Sequence, residues 1–207
     1  NASVQILAAI IYEKENKMEQ AFSALRTADN MEQMALWTQF CLKINRPDVA
    51  EEKLKEMQKI DEDATLTQLC SAWVHLAQGG DKIKEAAYTY EELIDKFDAT
   101  VNLLNGAAAA HMQLHEFDEA EKYLLQALQK GDNPETFINL IATYAHLGKE
   151  QQVIERYQNQ LTTQFPNHPI VQKMMRCSAA FDRVAEQMAK QVEKPPPGED
   201  DDDDDDA

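Results

Sequence analysis

Glycine and proline are scarce in this 207-residue chain, at 6 and 7 residues. A strand-rich fold with many tight turns needs more of both, and collagen-like or Pro/Gly low-complexity sequence is excluded. Cysteine is scarcer still. Cys41, Cys70 and Cys177 are odd in number and far apart. That excludes a disulfide framework and reads as reduced thiols on buried helix faces of a cytosolic protein. No run of 18 apolar residues occurs, so no segment reads as a membrane-spanning helix. Positive charge is also short: Lys and Arg number 20 against 37 Asp and Glu, a net charge of -17. Glu199 and the seven aspartates after it account for part of this, but the rest of the chain is acidic too. Such a surface repels phosphate backbones and anionic headgroups, which disfavours nucleic-acid binding and direct membrane insertion or docking.

What the chain does contain is a repeat. Residues 101–128, VNLLNGAAAAHMQLHEFDEAEKYLLQAL, read as two amphipathic helices joined at His115, Glu116, Phe117 and Asp118. Ala108, Ala120 and Ala127 fall where two antiparallel helices approach closely, and Leu104, His111, Phe117 and Leu124 supply bulk around them. The small residue opening the second helix recurs as Ala21, Ala50, Ala86, Ala120 and Val153. Four residues later stand Leu25, Leu54, Tyr90, Leu124 and Tyr157. The anchors lie 29, 36, 34 and 33 residues apart, close to the period of about 34 of a tetratricopeptide helix–turn–helix unit. The expected fold is therefore all-α, a tetratricopeptide-like solenoid whose units bury their apolar faces against their neighbours.

Units are expected at about 2–30, 31–64, 65–100, 101–133 and 134–167. A capping helix at about 169–190 follows, carrying Ile170, Val171, Met174, Ala180, Phe181 and Val184, because a solenoid needs an element over its last repeat. Local signals mark the boundaries. Pro47 suits a first helical position, and Asn133-Pro134-Glu135 is a cap, a proline and an acid in sequence. Asp63 and Asp81 are expected N-caps, Gly79-Gly80 extends the third turn, and Gly148 marks the fifth. Residues 191–207, rich in proline and aspartate, read as a disordered solvating tail with nothing apolar to offset the ordering entropy. Asn1 opens in mid-pattern, as expected of a chain with further sequence upstream.

Catalytic and metal chemistry find no support. His111 and His115 are four apart on one helix, but no third ligand accompanies them and HExxH is absent. His75 and His146 read as helix-packing residues. Gly79-Gly80 lacks the lysine and strand of a phosphate loop. No cofactor is expected, and the chain reads as a non-enzyme.

A repeat stack does predict a concave surface lined by the first helix of each unit. Transferring repeat positions gives Ile6, Ile10, Ala35, Gln39, Leu69, Trp73, Leu76, Asn102, Asn105, Ala109, Met112, Ile138, Asn139, Ala142 and Ala145 as its lining. The lining is mainly apolar. Trp73 is the strongest single anchor, since a large aromatic in a concave site dominates binding energy; the alternative is that it packs within or between units. Adaptors that clamp a peptide carboxylate need lysine, arginine and asparagine there, and only Asn105 and Asn139 match.

One stretch is more specific than the general repeat. Residues 57–97, MQKIDEDATLTQLCSAWVHLAQGGDKIKEAAYTYEELIDKF, carry DEDATLTQL, AWV and the Gly-Gly insertion, and LLNGAAAAHMQLHEFDEAEKYLLQAL and NPETFINLIATYAHLGK follow. Over about residues 1–186 the chain resembles the epsilon subunit of coatomer, the COPI vesicle coat; the acidic tail departs from that pattern. The resemblance implies a structural coat subunit that curls around the C-terminal domain of coatomer alpha and meets other coatomer subunits indirectly. It implies Golgi-to-ER and intra-Golgi transport, and a cytoplasmic protein peripheral on Golgi membranes and COPI vesicles. The competing expectation is a general tetratricopeptide scaffold or co-chaperone adaptor for a partner peptide.

Overall fold

The computed structural model describes residues 1–27 and 29–192. The tail expected over 191–207 lies, from 193 on, outside the described residues. Among the described residues there are eleven helices and no strand. They are α1 (Ala2–Lys14), α2 (Met18–Ala24), α3 (Met31–Lys43), α4 (Pro47–Ile60), α5 (Thr65–Gln78), α6 (Lys82–Phe97), α7 (Val101–Gln113), α8 (Phe117–Lys130), α9 (Pro134–His146), α10 (Gln151–Gln164) and α11 (Pro169–Val192). Two compact units divide within α10: Asn1–Tyr157, and the part from Gln158 on.

In the first unit consecutive helices pair as hairpins, α1 with α2, α3 with α4, α5 with α6 and α7 with α8, and first helices also touch one another, α3 against α5 and α7 against α9. The anchor alanines explain why. Ala21, Ala50, Ala86 and Ala120 have no exposed surface, and Leu25, Leu54, Tyr90, Leu124 and Tyr157 beyond them are buried. A methyl at each closest approach lets two backbones come together while the bulky residue one turn on fills the gap beside it. Among the glycines, Gly106 in α7 lies against a neighbouring helix: a Cβ there would collide with Cε1 of the buried Tyr90 on α6. Glycine costs about 1 kcal/mol in a helix interior; here it makes room for a ring.

Four of the hairpin turns share one geometry. Asn16, Asn45, His115 and Gly148 have φ of 60°, 58°, 62° and 64°. The next residue's N–H then reaches back five positions: Lys17 to Tyr12 O at 2.8 Å, Arg46 to Cys41 O at 2.8 Å, Glu116 to His111 O at 2.9 Å and Lys149 to Tyr144 O at 3.1 Å. This left-handed closure satisfies carbonyls that a helix end leaves open. Asparagine tolerates it through its short polar side chain. Of the four, Gly148 and the joint at His115 are marked as turns in the sequence reading; Asn16 and Asn45 are not. The third hairpin differs: Gly79 and Gly80 are both at positive φ, in keeping with the longer spacing at that turn.

Three local expectations need correction. The N-cap of α5 is Ala64, not Asp63; the Asp61 carboxylate instead accepts from the N–H of both Asp63 and Ala64, at 3.0 and 3.1 Å. Asp81 stands at the N-cap of α6, but with helical φ and ψ its side chain makes no capping bond. Cys177 is exposed, unlike Cys41 and Cys70, because its part of α11 faces solvent. At the other boundaries Pro47 and Pro134 open their helices as expected, and the Asn133 side chain accepts from Glu135 N–H at 2.8 Å.

In the second unit α11 is amphipathic. Val171 is buried and Ala180 half-buried, whereas Ile170, Met174, Phe181, Val184 and Met188 are exposed.

Three outcomes are expected. Gly106→Ala should destabilise by about 3 kcal/mol, because the Tyr90 ring must move, whereas Gly148→Ala should cost about 1 kcal/mol through backbone strain alone, its Cβ meeting open space; urea midpoints separate the two. Ala120→Leu should cost roughly 1–3 kcal/mol by overpacking the fourth hairpin, and an unchanged midpoint would break the repeat register. Burial pushes the Cys70 thiol up to about 12 and raises that of Cys41, so a maleimide titration of the native chain should label Cys177 first and the other two only on unfolding.

Candidate functional site

The first helices of the hairpins bring the expected lining residues to three depressions, all within Asn1–Tyr157. The first, about 300 Å³, is walled by Ile6 and Ile10 from α1, Glu32, Ala35, Leu36 and Gln39 from α3, and Leu66 and Trp73 from α5. The second, about 290 Å³, lies between Thr65, Leu69 and Trp73 of α5, Tyr90, Leu93 and Phe97 of α6, and Thr100, Asn102 and Leu103 where α7 begins. The third, about 340 Å³, is lined by Ala109, Met112, Gln113, His115, Phe117, Asn139 and His146. Each is mostly apolar, and each draws on neighbouring hairpins, so one hairpin alone builds none of them.

Trp73 belongs to both the first and the second. Its half-buried ring packs on one side against the cluster of Met34, Ala35, Cys41, Ala50, Leu54, Met57, Cys70 and Val74. On the other side it meets Ala72, Ala86, Tyr90 and Ala107. Burial pushes the Tyr90 phenol up to about 12, and the neighbouring Trp73 side chain opposes that shift in part. The two readings of Trp73 therefore describe one residue, part core and part wall.

Leu76, Asn105 and Ile138 line none of the three. Leu76 packs against the Ile83, Ala87 and Ala110 cluster. Asn105 is spent on structure: its amide donates to Val101 O at 2.9 Å and to Thr136 Oγ1 at 2.7 Å, and its carbonyl accepts from Asn139 Nδ2 at 3.3 Å. Both donors are engaged, so this asparagine has none left for a ligand carboxylate. Ile138 is half-buried on α9. Position transfer along the first helices misses Phe97, the last residue of α6, which stands 55% exposed beside Leu103 and Asn102. An exposed aromatic ending a helix is the signal available for it.

The histidines do not converge. The His111 ring nitrogens lie 2.8 Å from Glu116 Oε2 and 3.3 Å from Glu91 Oε1, its ring stacking on Tyr123 at 5.3 Å. His115 instead meets Phe117 edge-on, and Phe117 stacks on His146 at 4.3 Å. Among the described residues no group of three His, Cys, Asp or Glu side chains is placed to hold a metal ion. No described helix is long and apolar enough to cross a membrane. What the three hollows offer is shape and apolar area.

Comparison with known proteins agrees with the fold and sharpens the family. A thermophilic TPR protein from Thermus thermophilus superposes with a TM-score of 0.74 at 16% identity, over 87% of this chain and 99% of that one. A tetratricopeptide repeat protein from Parabacteroides merdae gives 0.72 at 12% identity, over 85% and 70%. At such identities the likeness concerns the fold alone. In sequence the chain is 38% identical to coatomer subunit epsilon-1 of Arabidopsis thaliana over 190 residues, 91% of this chain and 64% of that protein. It is 34% identical to coatomer subunit epsilon of Dictyostelium discoideum over 184 residues, 88% and 61%. The chain thus spans somewhat under two thirds of the length of these relatives. The family model described as Coatomer epsilon subunit matches residues 1–189. With this match over nearly all of the described residues, the chain belongs to the coatomer epsilon subunit family.

Proposed function

We propose that this chain is a non-catalytic structural part of the COPI coat that binds and stabilises the C-terminal domain of coatomer alpha through the first-helix face of its repeats. The observation that carries the reading is the family match over residues 1–189, and the apolar depressions around Trp73 and Met112 supply a physical means. Other coatomer subunits would be met indirectly. The protein would work in Golgi-to-ER and intra-Golgi transport, in the cytoplasm and peripherally on Golgi membranes and COPI vesicles. The acidic balance of the chain supports recruitment through protein contacts, since an anionic surface gains nothing from anionic lipid.

A carboxylate-clamping adaptor has less support. The depressions lack lysine and arginine in their walls, and Asn105 is already bonded within the stack. An apolar segment that displaces water from these hollows fits better than a charged chain end.

Co-expression with the C-terminal domain of coatomer alpha should give a one-to-one complex on size exclusion. Ile10→Asp, placing a charge in the first depression, should weaken it by about 2 kcal/mol or more in calorimetry. Tyr88→Ser, on an exposed part of α6, should not. Trp73→Ala should lower both affinity and stability, the latter by about 3 kcal/mol, because it removes part of two core clusters. The absence of any complex, or equal loss with Tyr88→Ser, would remove this assignment.

A further inference from the structure

His111 is a buried ionisable side chain that the stacking of hairpins does not require. Four hairpin turns close on a carbonyl five residues back, at Tyr12, Cys41, His111 and Tyr144. The other three carry side chains that are neutral at pH 7, so packing at this position asks for no imidazole. At His111 both ring nitrogens meet a carboxylate. Nδ1 lies 2.8 Å from Glu116 Oε2, at the end of the α7–α8 turn, and Nε2 lies 3.3 Å from Glu91 Oε1 on α6. Ionised carboxylates only accept, and a neutral imidazole carries a single N–H. Both contacts are hydrogen bonds only when the ring holds two protons. We propose that His111 is a proton-operated clasp between α6 and the α7–α8 hairpin: doubly protonated it holds Glu91 and Glu116 together, and on losing the Nε2 proton to solvent it keeps Glu116 and lets Glu91 go.

Geometry assigns which bond opens. The contact to Glu116 is the shorter, and that residue is tied to His111 a second time by its own N–H, which donates to His111 O at 2.9 Å. Glu91 has a substitute: the Tyr123 hydroxyl donates to the same Oε1 at 3.2 Å. The groups facing the ring are Lys84, Tyr88 and Glu91 from α6, Glu116 from the turn, and Glu119 and Tyr123 from α8. Lys84 opposes a second proton and the three carboxylates favour it. Glu119 is held below the usual carboxylate range, chiefly by its hydrogen bond from Lys122 and least by His111. Burial, then the charge of Glu91, pushes the Tyr123 phenol up to about 12, so it remains a donor throughout. A polar hollow of about 280 Å³ bordered by these α6 residues, His111 and Glu116 brings solvent to the cluster, and the proton leaves without unfolding. Because α6 and the start of α7 both wall the hollow beside Phe97, release of Glu91 slackens the junction on which that hollow lies.

The folded chain binds the two-proton ring and the unfolded chain does not. The clasp therefore adds stability on the acid side, while the carboxylates are ionised, and this contribution is lost as pH rises and the ring gives up its proton. The test is urea unfolding of the 207-residue chain from about pH 5.5 to about pH 8.5, the range in which histidine changes charge, beside His111→Gln and Glu91→Gln. The unfolding constant of the unsubstituted chain, divided by that of His111→Gln, should rise about fivefold across the range. Glu91→Gln, whose amide both donates and accepts, should flatten most of that rise. It alters a partly exposed side chain, so its comparison with the unsubstituted chain carries the test alone if His111→Gln does not fold. In long-range proton–nitrogen spectra, the ring missing from His111→Gln or altered in Glu91→Gln should lose its Nε2 proton and keep Nδ1–H as pH rises. A lower stability in His111→Gln with an unchanged pH profile would make the ring a packing residue and overturn the clasp. A rise that survives Glu91→Gln, or a neutral ring protonated at Nε2, overturns it as well.

Discussion

How closely two helix backbones can approach governs the first unit. Where Ala21, Ala50, Ala86 and Ala120 sit, the second helix of each hairpin offers only a methyl, and the four are fully buried. At Gly106 even a methyl is too large, because Tyr90 has filled the space. The bulky residue of one helix is accommodated by the small residue of another, so the sizes are linked from hairpin to hairpin. A packed interior at crystal-like density transmits such constraints instead of absorbing them. The periodic pattern of small and large residues is therefore a description of contacts.

The depressions follow from the same stacking. Antiparallel hairpins placed side by side bring their first helices near one another, and where side chains on adjacent first helices are short, a hollow remains. Ala35 and Gln39 border one and Ala109 another. Polar bonds keep the first helices in register: Gln33 Nε2 donates to Gln5 Oε1 at 2.7 Å between α3 and α1, and Asn105 joins Thr136 and Asn139 between α7 and α9. A shift of one residue would leave these half-buried amides unsatisfied, a cost of about 1–3 kcal/mol for each group stranded. They align the hairpins more specifically than apolar contact does.

Much of this is legible in the sequence. The hairpins, their order and most of their ends follow from the alanine anchors, from Pro47 and Pro134, and from the Gly-Gly turn, since each depends on a local backbone requirement. The turns at Asn16 and Asn45 are not, because asparagine adopts many other backbone conformations as readily and nothing beside it marks the left-handed one; at His115 the joint is legible from the repeat, but not the positive φ, which is uncommon for a histidine. The start of α5 misleads for a related reason: the Asp61 carboxylate reaches two N–H groups from ahead of the helix, and a reading that places caps directly before the first turn overlooks it. Of the lining, Ile6, Ile10, Ala35, Gln39, Leu69, Trp73, Asn102, Ala109, Met112 and Asn139 border a depression. Asn105 does not, because periodicity reveals which face a residue occupies but not which neighbour has already taken its hydrogen bonds.

Trp73 stands as a single partition between two hollows of nearly equal size. Volume gained on one side by turning the indole is volume withdrawn from the other. The two hollows are therefore coupled through one side chain, which two core clusters also hold.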